Sequence, residues 1–257
     1  EIKNIRFISK WNKQYITLIV NSDSNINGWN DLTNKTIYAG PNTSSDYYMC
    51  QKLLYCSNLV EYSYTLLDEY MDDDTLTNKL LDNTIDAIFI YSSHPNPFLY
   101  SIRDKSIKLI TLSGLNKNKL KIHFPLMQTD YLDISQYGLN DNQGYNKKTM
   151  STQSLILTHK NTDSEYIYEF LDSIVKELLN IDNEYLLKYR NVLYSPSIIL
   201  QLVNYINLHS GSKDYYIDLG YITNSDNLNC ISTIGTSNSC ANEKAFINNV
   251  DMFGKLY

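Results

Sequence analysis

The chain has 257 residues with 28 acidic and 22 basic side chains, a net charge of −6, 43% hydrophobic and 19% charged residues. That balance describes an ordinary globular protein large enough for two medium lobes or one large domain. With no Lys/Arg cluster set against it, the acidic charge excludes a nucleic-acid footprint. No apolar run approaches the ~20 residues that span a bilayer.

The elements alternate in chain order. Residues 15–20, YITLIV, predict a strand, and a short helical turn follows around Trp29 to Leu32. TIYAG, residues 36–40, is a second strand ending in Gly40-Pro41, and Met49, Cys50, Leu53 and Leu54 give helical spacing over 47–56. The plan repeats with a strand at 62–67, a helix over 75–82 capped from Asp72 to Asp74, and a nearly continuous apolar strand at 85–91. Such a run fits a strand covered on both faces. A helix near 96–103 and a strand at 107–112 complete the series. Strands alternating with helices predict an α/β class with mostly parallel sheets.

Residues 129–148 read as polar and irregular surface chain. SLILTH, 154–159, returns as a strand, and a capping box at Thr162–Glu165 opens the clearest amphipathic helix of the chain. Its stripe of Ile167, Phe170, Leu171, Ile174, Val175 and Leu178 is core. Shorter helices are expected near 183–190, 196–207 and 211–219, followed by an appended tail from about Ser225 to Tyr257.

Two loops at strand ends are candidate binding elements. In IDAIFIYSSHPNPF, residues 85–98, the strand breaks at His94-Pro95-Asn96-Pro97, where two prolines forbid strand and helix interior. In GPNTSSD, residues 40–46, a polar loop opens a helix whose free amides favour an anion. The loop lacks the spacing and the lysine of a nucleotide site. A small carboxylate held by Ser44 and Ser45, and a plain helix cap by Ser44 or Asp46, both stay open. The carboxyl ends of strands are where open α/β sheets bind ligands.

Neither a nucleophile elbow nor a zinc-protease motif is present, and His94, His123, His159 and His209 are scattered. Binding is therefore expected over catalysis, with no cofactor. Cys50 and Cys56 read as buried small hydrophobes on one helix, and neither cysteine pair has metal-site spacing. Cys230 and Cys240 flank a Ser/Thr/Asn/Gly-rich loop and could close a disulfide in an oxidising compartment.

Five segments in order resemble the solute-binding receptors of TRAP transporters, TAXI subfamily. They are TLIVNSDSNINGWNDLTNK, YAGPNTSSD, IDAIFIYSSHPNP, GYNKKTMSTQSLILTHK and LHSGSKDYYIDLGY, together covering roughly residues 5–222. The resemblance implies a periplasmic-binding-protein-like (type II) fold of two α/β lobes joined by crossing strands. It also implies a periplasmic receptor for an amino acid or small carboxylate, partnered by a TRAP-type permease, and not an enzyme. Carried over by position, Ser44 matches the serine of the family's S-G-T loop, while Ser45 and Asp46 replace its glycine and threonine. His94 and Asn96 fall in its P-N-P element, and Thr149 at the start of its crossing strand.

By that plan residues 25–125 make one complete lobe, and residues 1–24 with 126–224 part of the other. The chain starts at Glu1 without an initiator Met or signal peptide, and the family's Gly-rich amino-terminal loop has no counterpart. The expectation is an amino-terminal segment that was cleaved, omitted or is supplied by another chain. Without it, the 163–180 stripe should be exposed. The competing expectation is an interaction or antigen-like protein that kept the lobes and lost ligand binding.

Overall fold

Ile5–Asn21 (β1) is a single strand of 17 residues, longer than its apolar core predicts. Phe7–Lys10 and Ile16–Asn21 are buried while the middle is more exposed. The hidden half-strand escapes a hydrophobic pattern because Ser9 and Lys10 are buried beside Phe7 and Ile8. The computed structural model describes residues 2–110, 112–139, 146–180 and 206–222. The helices expected near 183–190 and 196–207 lie almost wholly outside these, and the tail with Cys230 and Cys240 wholly outside.

After a 3-10 turn at Trp29–Leu32 come Thr36–Tyr38 (β2), Ser45–Cys56 (α1), Thr65–Leu67 (β3), Asp73–Leu81 (α2) and Ala87–Ser92 (β4). Then follow Pro97–Ser101 (α3), Ile107–Ile110 (β5), Lys117–His123 (α4) and Gln128–Asp133 (β6). Asn146–His159 (β7), Ser164–Asn180 (α5) and Ser210–Asp218 (α6) complete the described elements. The sheet order is β3-β2-β4-β1-β7-β6, with β5 also on β1. β2 pairs parallel with β3 and β4, while β1 runs antiparallel to both β4 and β5. β2 through β5 thus share one direction, as helix crossovers require, and β1 alone is reversed between β4 and β5. Together the strands and their crossover helices make a mixed α/β sheet.

The 129–148 stretch is not wholly irregular, which corrects the sequence reading. β6 pairs antiparallel with β7, and a 3-10 turn follows at Ser135–Tyr137. Of β6 only Leu132 is buried, so the strand leaves no alternating apolar signature.

The described residues divide into two compact units, one within Lys13–Thr152 and the other made of residues 2–12 with 153–180 and 206–222. Residues 13–24 and 126–152 therefore belong with 25–125. In the first unit the strands alternate between two cores, as period-2 geometry dictates. Leu18, Val20, Ala87 and Phe89 face α1, α4 and the fully buried Trp29. Ile19, Ile88, Ile107 and Leu109 face α2 and α3. The sheet is covered on both faces, which explains the unbroken apolar run of β4. Cys50 and Cys56 are free and buried.

In the second unit Phe7, Ile8, Ile167, Leu171 and Val175 pack with Tyr215 and Tyr216. Ile167 and Leu171 are each 2% exposed, so this part of the stripe is covered by α6 and β1 of the same chain, contrary to the exposure expected of it. The Tyr216 hydroxyl, donating to Ser9 Oγ at 2.9 Å, seats α6 on β1.

Candidate functional site

The adjacent parallel strands β2 and β4 open at their carboxyl ends into the 39–44 and 93–96 loops. Gly40, with φ +77, turns the chain where a side chain would be strained. Ser44 then caps α1: its Oγ accepts the Tyr47 amide at 3.1 Å and donates to the Ala39 carbonyl at 3.3 Å. Ser45 is exposed, and its hydroxyl donates to Asp46 Oδ1 at 3.4 Å.

Asp46 lies in the first turn of α1, yet Ser44 is the cap. The Asp46 carboxylate instead accepts the backbone amide of Tyr91, near the end of β4. This contact ties the first turn of α1 to the end of β4. Burial pushes the Asp46 carboxyl up to about 6, although the Tyr91 amide and Ser45 hydroxyl pull it down. Among the described residues no cation pairs with it. Its charge is instead felt by Tyr38, Cys50 and Tyr91, raising each of them after burial has done so.

His94 is held on both ring nitrogens, Nε2 by Thr17 Oγ1 at 3.0 Å and Nδ1 by the Tyr137 hydroxyl at 2.5 Å. The Tyr137 oxygen also takes the Asn96 amide at 2.7 Å, so its proton goes to Nδ1, leaving Nε2–H to donate to Thr17. Burial lowers the imidazole to about 4, which keeps it neutral near pH 7. Asn96 caps α3, accepting the Leu99 amide at 2.9 Å and donating to Ser92 Oγ at 2.9 Å.

Thr149 lies inside the sheet, paired with Asp130 of β6, and its hydroxyl donates to the Ile16 carbonyl at 2.6 Å. Thr149→Val keeps the shape and leaves that carbonyl without its side-chain partner. A loss of about 1 kcal/mol in urea unfolding is expected.

The structure thus brings Ser44, Ser45 and Asp46 to the same strand-end edge as Tyr91, ahead of His94 and Asn96. The side chains of Ser44, His94, Asn96 and Thr149 are occupied by local structure, whereas those of Ser45 and Asp46 are bonded to each other at the loop surface. Sequence reasoning missed Tyr91, Tyr137 and Thr17. Tyr91, whose hydroxyl bonds Thr152 Oγ1, was accessible to period-2 reasoning. It shares a strand face with Phe89, beneath α1.

A family model described as "NMT1-like family" matches residues 1–220. The chain belongs to the NMT1-like family. Solved structures align with this NMT1-like chain at low identity. A putative sulfonate ABC transporter periplasmic sulfonate-binding protein, SsuA from Methylobacillus flagellatus KT, is 12% identical, with 98% of this chain and 62% of that one covered, at TM-score 0.42. The arginine-, lysine-, histidine-binding protein ArtJ from Geobacillus stearothermophilus is 14% identical, covering 69% and 58%, at TM-score 0.38. An amino acid ABC transporter substrate-binding protein, AbpA from Streptococcus pneumoniae Canada MDR_19A bound to L-arginine, is 15% identical, covering 74% and 60%, at TM-score 0.37. The NMT1-like chain spans less than two thirds of each of these proteins. No curated protein matches it.

Proposed function

We propose that this NMT1-like chain is an extracytoplasmic, periplasmic receptor that captures a small polar solute and delivers it to a TRAP-type membrane permease. Family membership and the segment-by-segment resemblance to TAXI receptors support the receptor reading. The observation that carries the site is the Asp46 carboxylate, half-buried at the carboxyl end of β4, bound to the Tyr91 amide and facing no described cation. Ser45, Asp46 and Tyr91 form the contact edge, while Ser44, His94, Asn96 and Thr149 shape it from behind. A carboxylate so placed repels a simple dicarboxylate and favours a solute that brings an ammonium group, such as an amino acid.

Thermal-shift screening of amino acids and small carboxylates on the full chain tests this reading, with titration calorimetry of any hit. Asp46→Asn is expected to weaken an ammonium-bearing hit by about tenfold or more, the worth of a charge-assisted hydrogen bond. Binding that Asp46→Asn leaves unchanged removes this edge from the site. The second reading is an interaction protein that lost solute binding. It draws on the side chains of Ser44, His94, Asn96 and Thr149, each engaged inside the fold. Uniform failure of the screen favours it.

A further inference from the structure

The carboxyl-terminal half of α1 and the whole of α4 make one face of the Lys13–Thr152 unit, tied by the Asn116 amide donating to the Cys56 carbonyl at 2.9 Å. The two segments supply Lys52, Lys117, Lys119 and Lys121, and residues 47–60 and 112–129 contain no Asp or Glu in a chain that has 28. Neither segment is basic enough to read as a cluster alone; the fold assembles them. Lys119 Nζ lies 4.2 Å from the centre of the Tyr55 ring and donates to the Tyr55 carbonyl at 3.2 Å. The Tyr55 ring meets His123 edge to face at 5.2 Å. Burial, then Lys52 and Lys119, lower the His123 imidazole, as expected where cations crowd one another.

Among these cations stand two large apolar side chains left in water, Tyr55 at 51% exposure and Ile122 at 74%. Lysines around an exposed aromatic and an exposed aliphatic group match the boundary of a bilayer, where rings and methyls enter the headgroup layer and ammonium groups meet lipid phosphates. The patch contains no arginine, the residue suited to bidentate recognition of single carboxylates; point charges suit a diffuse anionic surface. No described helix is long and apolar enough to cross a membrane.

We propose that the α1–α4 face docks on an anionic lipid surface. The rest of the molecule carries the excess negative charge and is repelled, which turns this face towards the bilayer. The contact is independent of solute binding at the β2–β4 edge, because none of its residues belongs to that edge.

The test is co-sedimentation of the full chain with vesicles of phosphatidylcholine alone or with roughly 30% phosphatidylserine, the lipid that makes a leaflet anionic. Binding to the mixed vesicles is expected at low salt and is lost near 0.5 M NaCl, where screening shortens to about 4–5 Å. Lys117→Glu with Lys121→Glu should lower partitioning by about 20-fold or more, at roughly fivefold per lysine near the surface. Lys160→Glu with Lys176→Glu, equal in net charge but on other elements, should leave partitioning within about twofold, as surface charges away from the contact are screened. Ile122→Ser should weaken binding while preserving its salt dependence. Equal binding to neutral vesicles, no binding to anionic ones, or equal losses in the two charge-reversed pairs overturns the proposal. So does retention of polyglutamate or duplex DNA without vesicle binding.

Discussion

Gly211→Ala is expected to destabilise the protein by about 3 kcal/mol, the upper range for overpacking a core. Gly211 lies in the first turn of α6, one residue after Ser210, whose hydroxyl bonds Ser164 Oγ at 2.5 Å. A Cβ at Gly211 would stand 2.1 Å from the Ser164 carbonyl oxygen and 2.9 Å from its carbon. Both atoms are backbone at the start of α5 and cannot swing aside. The methyl therefore has to drive α6 off α5, against the core of Ile167, Leu171, Tyr215 and Tyr216. His209 resists that shift: its Nδ1 accepts the Gly211 amide at 3.3 Å while its Nε2 donates to the Thr162 carbonyl at 3.0 Å. Gly138→Ala is the control. It has φ +66 and open space around the added methyl, so only left-handed strain of about 1 kcal/mol applies. Urea midpoints should separate the two variants, and amide exchange of residues 164–177 should rise in Gly211→Ala. Equal midpoints for both would show that close approach at Gly211 does not set the α5–α6 packing.

The legible parts of the fold were those written in local spacing. The apolar run of β4, the stripe of α5 and the cap at Asp72 each lie within a few residues of what they explain. β6 and the outer halves of β1 and β7 were not legible, because their buried residues include Ser9, Lys10, Lys147, Thr149 and Ser151. Polar residues interrupt the apolar spacing there, although Phe7, Ile8 and Met150 still pack into the cores. The site divides in the same way. A strand that stops just before His94 and its two neighbouring prolines marked an edge, but the groups that hold His94 are 77 residues away at Thr17 and 43 away at Tyr137. Nor could sequence decide whether Asp46 caps α1 or reaches elsewhere, since that turns on where the Tyr91 amide lies.

Asp46 and His94 should act on stability in opposite directions between pH 4 and 6. His94 titrates near 6.5 when unfolded but at about 4 in the native protein, because burial disfavours the imidazolium. As pH falls from 6.5 to 4 the unfolded chain takes a proton that the native state refuses, and stability drops by about 3 kcal/mol. Asp46 has the reverse sign. Its native value of about 6 lies above the ordinary 3.8, so over the fall from 6 to 3.8 the native state takes the proton first. Stability rises by about 3 kcal/mol over that window. The two groups are held by different partners, Thr17 and Tyr137 for one and Tyr91 and Ser45 for the other, so their effects should add. Their joint contribution is therefore nearly flat from pH 6 to 4. Asp46→Asn keeps an oxygen for the Tyr91 amide and removes the buried charge. It should raise stability at pH 7 by up to about 3 kcal/mol and expose the full acid loss due to His94. His94→Gln should do the converse, becoming more stable on acidification from pH 6 to 4, and the double variant should be flat again. Urea unfolding of the four proteins from pH 4 to 7 checks this, and parallel curves for all four would refute it. A carboxylate that weakens the fold by standing ionised at neutral pH is hard to account for as a structural group. If Asp46→Asn gains stability while losing the ammonium-bearing solute, the strain of holding that charge belongs to the binding site.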